Sequence, residues 1–181
     1  LIVGYADAQL QWGAPIEVTL AAADYLRGLA KLAADNPQRL AYFLPFLDHA
    51  DKLIADDAHN EFAMASLANV SALRERLDRA SILRQLRASD VPVHRRRLYW
   101  TLLGICGREV DTKFVEETIR RAQVHGKLIR DLNAALGCYL TVGGERALEA
   151  IEEKYLGNPN AKYTDTYAAI VAVRVHGMEL M

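Results

Sequence analysis

Two cysteines in 181 residues are too few for a disulfide framework. Cys106 and Cys138 stand in apolar, helix-like stretches, without a CxxC or a Cys/His cluster, and read as buried thiols that pack as small hydrophobes. Only 5 prolines and 11 glycines exclude collagen-like and low-complexity chains. Long hydrophobic runs are missing as well. Leu20-Ala-Ala-Ala23 and Ala168-Ala-Ile-Val-Ala-Val173 stop far short of the roughly 20 residues that cross a bilayer, so no membrane segment is expected. The chain opens on Leu1 with neither the charged nor the apolar region of a signal peptide. A processed product or an excised piece is therefore expected, and the compartment stays open, a removed export signal included. What is there, 51% hydrophobic and 25% charged residues, describes a folded, soluble protein of one domain or of four to five repeat units.

Catalytic signatures are also lacking. Gly143-Gly144 has no lysine at phosphate-loop spacing, Gly104-Ile-Cys-Gly107 is too short and apolar for a dinucleotide fingerprint, and no serine sits in a Gly-x-Ser-x-Gly elbow. No catalytic residue is assigned and no cofactor is expected. The net charge of -1 conceals an uneven distribution. Residues 1 to 73 carry 4 Lys/Arg against 9 Asp/Glu, residues 74 to 130 carry 14 against 7, and residues 131 to 181 carry 4 against 7. A middle segment of charge +7 marks either a basic partner surface or the solvated outer face of helices.

The pattern along the chain is helical almost throughout. Residues 1 to 13 differ: Leu1-Ile-Val-Gly-Tyr5 and Gln9-Leu-Gln-Trp12, around Ala6-Asp7-Ala8, predict a short β-hairpin or the tail of an upstream domain. Residues 14 to 181 form the second expected domain. Ile16, Leu20, Ala23, Leu26, Leu29 and Leu32 follow the spacing of an amphipathic helix. Asn36-Pro37 predicts the start of a second helix, with Pro45 kinking or breaking it near residues 41 to 44. Further helices are predicted at about 50–56, 58–68, 71–88, 92–106, 111–124, 127–142, 144–156 and 164–179. Asp111 is a plausible N-cap, and Gly107, Gly143 and Gly177 fall where left-handed C-caps belong. Those glycines, the dipeptides Leu103-Gly104 and Leu136-Gly137, and the series Leu98, Leu132, Tyr167 recur at 33 to 36 residues, the spacing of stacked helical repeats.

These residues resemble HEAT repeats. Phe43-Leu-Pro-Phe-Leu47, Asp48-His-Ala-Asp51, Ile54, Asp57-Ala58 and Phe62-Ala63 look like one unit; Ile82-Leu83, Leu86, Asp90, Pro92, Arg95, Leu98, Leu102-Leu103-Gly104 and Gly107 look like a second. Two weaker units follow, and the match runs over roughly residues 37 to 179. The resemblance implies an all-α, right-handed α-α superhelix, a HEAT-like or armadillo-type solenoid, behind the short N-terminal β-hairpin. It departs from the pattern at Ala55, where a basic residue usually follows the turn aspartate, and in ending on an unpaired helix. A capping partner or oligomer contact at the C-terminal end is the corresponding expectation.

Three polar groupings are candidates for chemistry. His49, Asp51, Asp56, Asp57, His59 and Glu61 include metal-ligand types, but helical spacing turns them apart, so capping aspartates on a solvated turn are expected and no metal is assigned. Tyr163, Tyr167, Arg174 and His176 would line a pocket if they converged, although aromatics at helical spacing are expected in the core. His94-Arg95-Arg96-Arg97, followed by Tyr99 and Trp100, combines cations with rings. With the middle segment's charge it points to a protein-protein interaction scaffold, holding an acidic protein or peptide on a concave helical surface through Arg84, Arg87, Arg95, Arg96, Arg97 and Trp100. Nucleic acid is disfavoured by a pI near 6.6. The alternative is an enzyme on a HEAT-like frame, resembling alkylpurine DNA glycosylases or bilin lyases.

Overall fold

The computed structural model describes residues 2, 4–6, 10–32, 39–124 and 130–176. These residues are mostly helical, with nine α-helices among them. The chain divides into two compact units, Leu1–Asn69 and Val70–Met181.

In the first unit, β1 (Gly4–Ala6) pairs antiparallel with β2 (Leu10–Trp12), Tyr5 opposite Gln11. The residues of the intervening turn, and the Asn36-Pro37 helix start, lie outside the described residues. Helix α1 (Leu20–Leu29) begins later than the apolar spacing suggests, because Thr19 caps it, its hydroxyl accepting from the Ala22 N–H at 3.0 Å. Helix α2 (Arg39–Phe43) gives way to a 3-10 turn at Leu44–Phe46, where Pro45 cannot supply the next backbone donor. The two helices predicted at 50–56 and 58–68 are instead one helix, α3 (Lys52–Met64), followed by the short α4 (Leu67–Ser71). Asp51 caps α3 through the Leu53 N–H and also accepts from the Thr19 hydroxyl, so one carboxylate ties together the starts of α1 and α3. Tyr25, Phe43, Leu47, Ile54, Ala55, Ala58 and Phe62 form the core. The Tyr25 ring stacks on Tyr42 and meets Phe46 edge-on, while its hydroxyl donates to Asp57 at 2.6 Å.

In the second unit, the predicted helix 71–88 is divided. A 3-10 turn at Arg74–Arg76 precedes α5 (Arg79–Arg87), and Asp78 between them caps α5 by accepting from Ala80 and Ser81. Helix α6 (Val93–Cys106) packs on α5 and on α8 (Leu132–Ile151), which also receives α7 (Thr112–Val124) and α9 (Tyr163–His176). Helix α8 is interrupted at Gly144, whose φ of 59° and ψ of -140° suit glycine and little else, so it behaves as two segments, 132–143 and 145–151. The break falls one residue after the cap expected at Gly143. Gly107 does end α6, but in an extended conformation; what it provides is space, since a Cβ there would lie 2.4 Å from the Leu103 carbonyl oxygen. Gly177 lies outside the described residues. A π-helical turn, Glu152–Leu156, leads out of α8. Trp100, Leu102, Leu103, Leu132, Leu136, Leu140 and Ile151 are almost fully buried, and the unit's core is the seam where α6 and α9 meet α8.

Tyr163 and Tyr167 are not core residues. They are 82% and 59% exposed and stack on each other along the outer face of α9, with Ile170 exposed one turn further on. Cys138 is buried and Cys106 half-buried, and burial pushes both thiols up. No helix among the described residues is long and apolar enough to cross a membrane.

Candidate functional site

The first half of α6 carries the basic run, and its helical spacing decides what each residue does. Arg96 and Trp100 lie one turn apart on the same face and turn inward. Both reach Asp131, at the start of α8, which is 2% exposed: the Trp100 indole N–H donates to its Oδ2 at 2.8 Å and Arg96 Nη2 pairs with the same oxygen at 2.9 Å. Trp100 is itself 1% exposed and Tyr99 is buried. The expectation that Trp100 meets a partner is therefore corrected, because its ring is core and its one polar atom is satisfied internally. Arg96 belongs to the same internal network, and Arg95 is half-buried beside it.

The remaining arginines differ in kind. Arg87, at the end of α5, lies with its guanidinium carbon 5.1 Å from the centre of the Phe114 ring, which in turn packs 5.9 Å from Trp100. Arg97 donates to the Arg130 carbonyl oxygen at 2.8 Å, and Arg84 donates to the Ser81 hydroxyl at 2.7 Å. A ring face, a carbonyl and a hydroxyl orient a guanidinium without cancelling its charge. All three side chains are exposed, and none forms an ion pair with a carboxylate among the described residues. Of the six residues singled out from the sequence, Arg84, Arg87 and Arg97 thus keep a held, unneutralised charge at the surface.

Comparison with models of known protein families, with curated proteins and with solved structures yields no match.

Sequence reasoning missed the buried carboxylates that build the site. Asp131 precedes an apolar run and reads as an ordinary solvent-facing residue. Asp111, expected to cap α7, is 3% exposed and turns backward, accepting from the Arg108 N–H at 2.8 Å and taking a two-pronged contact from Arg79. Burial pushes its carboxyl up, but the Arg79 and Arg108 hydrogen bonds and charges outweigh this and hold it below the usual carboxylate range. A hint was present in the separations, since Asp111 lies 32 residues after Arg79 and Asp131 lies 31 after Trp100.

The mixed cluster in the first unit disperses. Asp51 serves Thr19 and Leu53, Asp57 accepts from Tyr25, Glu61 pairs with Arg39 at 3.0 Å, and Asp56 pairs with Lys52. His49 Nδ1 accepts the Asp51 N–H. No group of three or more potential metal ligands converges among the described residues.

Proposed function

We propose that this chain is a HEAT-like helical repeat scaffold that binds an acidic polypeptide through Arg84, Arg87 and Arg97. The observation that carries the reading is that these three exposed guanidiniums are each held by a neutral partner. Their side-chain entropy is partly lost before a partner arrives and their charge is still available, which favours rapid, carboxylate-directed association. The repeat reading is supported by the recurrence of one separation in both units. Thr19 to Asp51 and Tyr25 to Asp57 span 32 residues in the first, and Arg79 to Asp111 and Gln123 to Tyr155 span 32 in the second. A chain of similar helical hairpins, each bonded to the next, has that signature. A capping segment or a second chain against the exposed Tyr163, Tyr167 and Ile170 of α9 belongs to the same proposal, and an unvarying monomer that binds no apolar dye would count against it.

Nucleic acid is a weaker fit, because Tyr99 and Trp100, the rings that would stack on bases, are in the core. The test is fluorescence anisotropy with a labelled oligoglutamate peptide and a labelled DNA duplex. The peptide is expected to bind with an affinity that falls as salt rises, and the triple Arg84→Glu, Arg87→Glu, Arg97→Glu variant is expected to lose it while melting as the parent does. Unchanged peptide affinity in a folded triple variant rejects this surface, and preferential binding of the duplex rejects the acidic-protein reading.

A further inference from the structure

The second unit contains a cavity of about 330 Å³ between α7, α8 and the π-helical turn, and Arg84, Arg87 and Arg97 are not among its lining residues. Ile119, Leu136, Ala150 and Ile151 line its apolar side, Ala150 half-buried and the other three buried. Its size is at the lower end of the range for small-molecule sites. In the π-helical turn Tyr155 is buried while the adjacent Lys154 is exposed, and both line the same cavity.

The polar rim is mostly committed. The Tyr139 hydroxyl donates to Glu116 at 2.5 Å, and Gln123 donates to the Tyr155 hydroxyl at 3.0 Å. Glu117 accepts from Arg120 and from Arg121, contacts that lower its carboxyl to about 2 and leave it ionised but neutralised. Two cations remain. Lys113 forms no ion pair among the described residues, and the Lys154 ammonium lies 5.4 Å from the centre of the Tyr155 ring, a contact that leaves its charge uncancelled. Crowding by the surrounding protein holds Lys154 below the usual lysine range, against the opposing pull of Asp165 and Glu116.

We infer that this cavity binds a small amphipathic carboxylate, its aliphatic or aromatic body on the apolar side around Ala150 and its carboxylate toward Lys113 and Lys154. Neither half of the site suffices alone. The apolar side selects for an apolar body, and Lys113 and Lys154 select against its neutral or cationic analogues.

Isothermal titration calorimetry on the full chain tests this with hexanoate, 4-phenylbutyrate and indole-3-propionate as probes, and 4-phenylbutan-1-ol as the uncharged counterpart. At least one acid is expected to bind, with the phenyl acid at least tenfold tighter than the alcohol if it is the one preferred. The double variant Lys113→Gln, Lys154→Gln is expected to weaken the bound acid at least tenfold; both side chains are exposed, and an unchanged melting curve confirms that the variant folds. Ala150→Leu, which fills the apolar side, is expected to block the acid with both lysines in place. The triple arginine variant is expected to bind the acid normally, which separates this site from the scaffold surface. Absence of heat from all three acids up to about 10 mM, equal affinity for acid and alcohol, or full affinity in the folded lysine variant overturns the inference.

Discussion

Asp131 offers the most direct check on how the second unit is held together. Its carboxylate accepts from the Trp100 indole and pairs with Arg96, and it is 2% exposed. Replacement by alanine strands both partners. An indole N–H left without an acceptor costs about 1–3 kcal/mol and a broken buried ion pair about 3–5 kcal/mol. These are not additive, and Arg96, whose side chain is 25% exposed, recovers part of its hydration. Asp131→Ala is therefore expected to destabilise the unit by about 3 kcal/mol, near the lower bound for a lost buried pair. Asp131→Asn retains an acceptor for the indole but not the charge, and is expected to cost about half as much. The assay is urea unfolding followed by tryptophan fluorescence in a Trp12→Phe background. Trp12 is 67% exposed, so its loss is tolerable, and Trp100 then reports on the environment in question. A double-mutant cycle with Arg96→Met isolates the pair, with a coupling of about 1–2 kcal/mol expected. An Asp131→Ala midpoint within about 0.5 kcal/mol of the parent would refute the claim that this carboxylate organises the cluster.

Other consequences are equally specific. Gly144→Ala is expected to destabilise by about 1–3 kcal/mol in thermal melts although a Cβ there meets nothing within 4 Å, because the whole cost is the backbone conformation at φ 59°. Asp111 has a folded-state pKa below its unfolded value, so its contribution is fully present above the unfolded value and is lost as pH falls through the folded one. Stability should accordingly drop below about pH 4, and Asp111→Asn should flatten that limb of a stability-against-pH curve. Asp78→Ala removes an acceptor from two N–H groups at the start of α5 and should cost about 1 kcal/mol, read from urea midpoints. Asp78→Ser should restore most of it.

The amino-acid sequence determined by itself that the chain is helical, roughly where its helices lie, and where two of them break. Local rules were enough for that: i+3/i+4 apolar spacing places α6 and α7, Pro45 removes a donor just after α2 and ends it, and the glycine pair at 143 and 144 divides α8. Where local signals competed, the sequence misled. The run 50–68 looked like two helices and folds mainly as one, because Ile54, Ala55, Ala58 and Phe62 all find burial along a single face. The site was legible as a concentration of charge but not as a division of labour. Six residues of suitable chemistry were visible, yet that Arg96 is neutralised and Arg87 only oriented depended on Asp131 and Phe114, more than ten residues away along the chain. Tertiary structure decided that Trp100 is core, that Arg96 is neutralised, that Arg84, Arg87 and Arg97 are held but, among the described residues, unpaired with carboxylates, and that Lys113 and Lys154 border one cavity. The physical reason is that helix periodicity is a property of neighbours in sequence, whereas the neutralisation of a charge is a property of neighbours in space.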